Sequence, residues 1–134
     1  MAIEPTRLPR RWTLEDYERP WTANAERTWH FQKRARVVRE WRERFAWLAR
    51  GDRIPPLQRI SVAAVPLVMN RRSLPDVGAC FPAVKAAVDG LVDAGVIPDD
   101  SPQYVHSICF YAPLVGDLEG LRLVVTEDFS RVEQ

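Results

Sequence analysis

The chain has 134 residues, 46% hydrophobic and 28% charged, with a formal net charge of +1. That length suits one compact domain with a real core, and five tryptophans against six glycines exclude a disordered or low-complexity chain. No apolar run approaches the roughly 20 residues of a membrane span, and "MAIEPTRLPRRW" lacks the layout of a signal peptide, so a cytoplasmic protein is expected.

The opening "RLPRRWTLEDYERPWTAN" is mixed and broken by proline, which predicts a loosely held N-terminal arm over about 1–18, or a weak strand. A helix is expected from about Thr28 to Ala49. Phe31, Ala35, Val38, Trp41, Phe45 and Leu48 recur at spacings of three and four and form its apolar stripe. Lys33, Arg34, Arg36, Arg39 and Arg44 mostly lie off that stripe, available to solvent or phosphate. Gly51 is expected to stop the helix. "LQRISVAAVPLVM" predicts a strand from about Leu57 to Val68, with Pro66 near its edge or end.

After a loop, "NRRSLPDVGAC", Pro82 opens a second helix that buries Val84, Ala87, Val88 and Leu91 and closes at Gly95. "PDDSP" turns the chain into a strand from about Tyr104 to Tyr111. "VGDLEG" then reads as a hairpin loop and "LRLVVTE" as the returning strand. Together these elements predict a single α+β domain over 1–134, a small mixed sheet packed with two main helices.

The small net charge hides an asymmetry. Arg27 to Arg53 carries nine Lys or Arg against three Asp or Glu, a local +6; from Asp76 onward ten acidic residues face three basic ones, a local −7. Arg59, Arg71 and Arg72, between the two, have no acidic counterweight. Such a layout suits a protein that holds a polyanion against a cation site, although a helix solvating one face with arginine gives the same count. Cys80 and Cys109 form no CxxC pair and are expected to be buried, unreactive thiols. Trp21 and Trp29 are expected in the core, with stacking on exposed junction bases as the alternative, His30 at a cap or on DNA, and His106 in a structural role.

Asp76 precedes the second helix, and Asp99 and Asp100 follow it. A helix keeps its two ends apart, so these carboxylates meet only if the following loop folds back or a second subunit supplies one side. "PDVGACFPAVKAAVDGLVDAGVIPDD" resembles the signature of the RusA family of Holliday-junction resolvases, in its actinobacterial and actinophage branch. That pattern is Asp-x-Asp-Asn, a spacer, a lysine, an alanine-rich helix with "DGL-DAG", then paired aspartates. "RPWTANAERTWHFQKRARVVREWR", "VHSICFYAP" and "GLRLVVTE" resemble the same branch, so the likeness runs from about Arg19 to Glu127.

The resemblance implies a RusA-like fold and a dimeric, Mg²⁺-dependent (Mn²⁺ as the substitute) endonuclease that nicks four-way DNA junctions. It would place Asp76, Lys85 and Asp100 in catalysis, and Asp76, Asp99 and Asp100 at the metal. Arg27, Lys33, Arg34, Arg71 and Arg72 are the expected DNA contacts. If the chain is phage-encoded, it would act in the host cytoplasm.

The pattern's second aspartate falls on Gly78 and its asparagine on Ala79. Losing one ligand of three weakens Mg²⁺ binding. Three outcomes follow: cleavage lost with junction binding kept, recruitment of Asp99, Asp89 or Asp93, or metal held only when DNA phosphates complete the shell. Lys85, Asp89 and Asp93 share one helix face, which also fits a plain solvated ladder of charge. The competing readings are a non-catalytic junction binder, or an interaction protein acting on a host or phage partner.

Overall fold

The computed structural model describes residues 7–130. Its elements are β1 (Arg11–Asp16), α1 (Ala23–Glu26), α2 (Phe31–Gly51), β2 (Ile60–Val68), α3 (Phe81–Asp93), β3 (Val105–Phe110), β4 (Leu114–Val115) and β5 (Gly120–Glu127). The strands form one mixed sheet in the order β1-β5-β2-β3, with β4 beside the end of β2. This is an α+β fold with a single core.

Alternation along the strands decides which face that core occupies. Leu14, Ile60, Val62, Ala64, Leu121, Leu123 and Val125 join Trp41, Phe45, Val84, Val88 and Leu91 from α2 and α3 in one buried cluster. Both long helices therefore lie on the same side of the sheet. Trp21, stacked edge-on against Trp41 at 5.4 Å, seals one end.

Several expectations are decided by the fold. Of the two readings of the opening segment the strand is the one that forms: β1 pairs antiparallel with β5 from Arg11↔Thr126 to Asp16↔Leu121, and residues 1–6 lie outside the described residues.

The expected hairpin does not form, because β2 lies between β3 and β5, parallel to the first and antiparallel to the second. Leu114–Val115 pairs with the end of β2 and carries the chain across to its other side. The longest and most apolar strand thus takes the centre of the sheet.

Pro66 lies near the end of that central strand, as expected, two residues before Val68. Tyr111 N–H donates to Ala64 O, and Gly116 N–H to Val68 O, so Pro66 faces the break between β3 and β4, where no donor is needed.

Gly51 does not stop α2. The turn ends with Arg53 N–H on Arg50 O and Ile54 N–H on Ala49 O, leaving Arg53 at φ 55°. Burial of Ile54 against Ala49 sets this C-terminus two residues later than glycine would. At α3 the expectation holds: Gly95 (φ 81°) donates to Val92 O and Val96 to Leu91 O, with Val96 and Leu91 both buried. Cys80 is buried as expected, whereas Cys109, on the outer side of edge strand β3, is exposed.

Candidate functional site

Helix α3 presents Lys85 and Asp89 one turn apart on the side away from Val84, Val88 and Leu91. The segment after α3 folds back along the helix by two turns, far enough for Lys85 Nζ to donate to the Asp100 carboxylate. That hydrogen bond holds the Asp100 carboxyl below its usual range. Asp89 is pushed the other way, chiefly by burial, with Lys85 opposing and Asp100 adding to the rise. Lys85, Asp89 and Asp100 thus form one electrostatic unit.

This unit borders a cleft of about 620 Å³ between the N-terminal halves of α2 and α3, lined by Phe31, Arg34, Val38 and Phe81 as well as Lys85 and Asp89. Phe31 is 64% exposed and Phe81 50%. The α2 stripe is therefore fully buried only from Trp41 onward; Phe31 and Ala35 leave the core, and Val38, at its margin, shares with them a wall of the cleft. His30 caps α2, its Nδ1 accepting from Gln32 N–H at 3.2 Å.

Asp76 does not join the unit. It opens an exposed turn in which Ala79 N–H donates to Asp76 O, with Gly78 at φ 84°. Ala23 N–H in turn donates to Ala79 O, tying this turn to α1. Asp99 instead closes its own loop, accepting from Ser101 N–H at 2.7 Å. Among the described residues no three His, Cys, Asp or Glu side chains gather into a group able to hold a metal. The expected set of Asp76, Asp99 and Asp100 is thus not a ready-made cage, because α3, about 20 Å long, separates the turn before it from the loop after it. The fold-back brings Asp100 only as far as Lys85. Asp93, the other candidate recruit, is held by Arg42 through bonds of 3.0 and 2.8 Å.

The basic helix is partly committed to the scaffold. Arg42 bridges to Asp93, and Arg44 to Asp16 and Glu18 on the β1 side. Arg44 is therefore not available to phosphate, contrary to expectation. Of the expected DNA contacts, Arg34 lies in the cleft wall 3.6 Å from Glu26, and Lys33 stands over the Trp29 ring at 4.6 Å. Arg27 is exposed at the end of α1. Arg71 and Arg72 are exposed on a short 3-10 turn after β2.

One polar cluster escaped the sequence reading. Glu127, 7% exposed, accepts from Arg7 at 3.0 Å and from Arg10 Nε and N–H at 2.8 and 2.9 Å. Beside it, Ser61 donates to Asp128 at 2.6 Å. This cluster fastens the chain before β1 to the end of β5.

Among the described residues no helix is long and apolar enough to cross a membrane. No protein-family model matches this sequence, and no curated protein matches it.

Proposed function

We propose that this protein binds four-way DNA junctions as a RusA-like resolvase, acting in the cytoplasm of the cell that carries the DNA. The observation that carries the reading is the meeting of Lys85 with Asp100. Both are residues of the RusA-like pattern, fifteen positions apart, and Lys85 lines a cleft whose other wall carries Arg34. An incoming phosphate would compete with Asp100 for the Lys85 ammonium and would be attracted by Arg34, Arg27 and Lys33. A two-fold pair of protomers matches a junction with two equivalent strands.

Beside Lys85 a cation would find two carboxylates, Asp89 and Asp100. Mg²⁺ is commonly held by one or two carboxylates, water and substrate phosphate, so Mg²⁺ or Mn²⁺ belongs to this reading as a weakly held ion that DNA completes. A non-catalytic junction binder is the second reading. The backbone at Gly78 favours it: φ 84° disfavours the aspartate that the pattern requires there.

The test uses a labelled four-way junction beside a linear duplex, with and without Mg²⁺ or Mn²⁺. Preferential junction binding that falls steeply with salt is expected, and Lys85→Ala should weaken it. Equal affinity for the linear duplex, or no salt slope, rejects the reading and favours a host or phage protein as the partner. Binding without cleavage under both metals selects the non-catalytic form.

A further inference from the structure

Both long helices begin on an exposed phenylalanine. Phe31 opens α2 and Phe81 opens α3, and the two rings line the same cleft. Each is propped by a second ring: His30 lies against Phe31 at 4.5 Å between centroids, and Phe110 against Phe81 at 6.1 Å. Ala35 and Val38 of α2 and Pro82 and Ala86 of α3 add further apolar lining. Single exposed apolar side chains are ordinary, whereas two propped rings in one concave site mark a binding groove. Its volume of about 620 Å³ falls in the roughly 300–1,000 Å³ range of ligand pockets.

The charges beside the rings narrow the ligand. Arg34 lies in one wall and Lys85 in the other. Arg39 stands where the cleft continues past Ala35 and Val38, and it pairs with no carboxylate among the described residues. The contact of Arg34 with Glu26 is loose, at 3.6 Å, and such exposed pairs exchange at little cost. Glu26 is itself engaged by Trp21 Nε1 at 2.8 Å. Asp89, one turn beyond Lys85, repels phosphate, so a phosphate stops at Lys85 and only an uncharged group passes inward. Rings for a flat apolar face, with cations at their side for an anion, are what a nucleotide requires.

Resting on the junction reading, we infer that this cleft takes one unstacked nucleobase from the branch point of the DNA, on the Phe31 and Phe81 rings, with its flanking phosphates on Arg34 and Lys85. A paired base shows the grooves only its edge, whereas a base out of the stack offers its faces. Bases beside a branch point are the least costly to unstack in a four-way junction, because the helix is interrupted there. The feature recognised is then the unpaired base. Single-stranded DNA should enter the cleft as well, and a linear duplex should not.

A four-way junction carrying 5-iododeoxyuridine at the branch point tests this, beside a junction carrying it deep in one arm. Photo-cross-linking to the full chain, located by mass spectrometry, should fall on Phe31 or Phe81 from the branch point and on neither from the arm. Phe31→Leu and Phe81→Leu, both at exposed positions, should each weaken junction binding about tenfold and leave linear-duplex binding unchanged. Trp47→Leu, at an exposed ring outside the cleft, should change neither. Cross-links outside the cleft, or junction affinity that survives loss of both phenylalanines, overturn the inference. Junction preference kept without a cleft cross-link overturns it alone and leaves the junction reading standing. Cleft cross-links from a single-stranded oligonucleotide, with no preference for the junction, keep the cleft and overturn the junction reading alone. A chain that binds neither DNA overturns both and leaves the cleft to a protein partner.

Discussion

Gly90 crosses α2 so closely that a Cβ built there would lie 2.6 Å from the carbonyl oxygen of Arg42, with Ala46 N and Phe45 Cβ each at 3.0 Å. The contact is backbone against backbone, so no side chain can swing aside to relieve it. Arg42 also reaches over α3 to Asp93, so the crossing is held by packing below and an ion pair above. The glycine of "DGL" therefore has a structural reason. It lets the helix bearing Lys85 and Asp89 sit against the helix bearing Arg34.

Gly90→Ala should destabilise the fold by about 1–3 kcal/mol through overpacking, despite the better helix propensity of alanine. Urea unfolding of the pair measures it. A neutral or stabilising substitution would mean that the two helices part freely and that the cleft geometry is soft.

Helix termini and burial at α3 were legible because local rules act alone there. Pro82, Gly95 and the Val84/Val88/Leu91 stripe need nothing from the rest of the chain. The hairpin was misread because β3 and β5 each pair with β2, far away in sequence, and not with each other, and the central place of β2 depends on how the sheet closes. Lys85 and Asp89 were legible as one face, but the return of Asp100 was not, since it depends on how far the loop after Gly95 doubles back. Glu127 could have been found: it continues the inward alternation of Leu121, Leu123 and Val125. A carboxylate in that register must be paired, although nothing local names Arg7 and Arg10 as its partners.

The turn at Gly78 decides a repair experiment. In sequence, Gly78→Asp with Ala79→Asn would complete the RusA-like pattern. The backbone there has φ 84°, and although a Cβ would meet nothing within 4 Å, an L-residue in that conformation is strained. Gly78→Asp should therefore lower stability by about 1 kcal/mol, and calorimetry should show no gain in Mg²⁺ affinity. A double variant that gains both metal binding and junction cleavage would show that the turn can rearrange toward Lys85.

Asp89 should set an opposite pH trend from its neighbour. Its folded pKa is raised by burial, so its contribution to stability is full below the unfolded value of about 3.9 and is lost as pH rises through the folded value. Ionised Asp89 thus weakens the fold at neutral pH. Asp89→Asn should be more stable than wild type near neutrality and gain little in acid. Without a divalent metal it should also bind DNA more tightly, because one negative charge beside Lys85 is gone. Urea midpoints across the pH range check the first point, and a junction titration checks the second.

Acid sensitivity should come largely from the other end of the sheet. The Arg7 guanidinium, then that of Arg10, holds the Glu127 carboxyl far below the usual carboxylate range. A depressed folded pKa contributes stability above the unfolded value of about 4.3 and loses it as pH falls through the folded one. Wild type should therefore lose stability progressively below about pH 5 as the unfolded chain takes up the proton first. Glu127→Gln keeps the shape but leaves two arginines facing a neutral amide. It should be less stable than wild type at neutral pH, and the difference should shrink steadily toward strong acid. Because Glu127 also fastens the segment before β1 to β5, amide exchange in β1 should speed up in the variant while α3 stays protected. Parallel pH profiles for the two proteins, or unchanged exchange in β1, would show that this cluster does not anchor the strand.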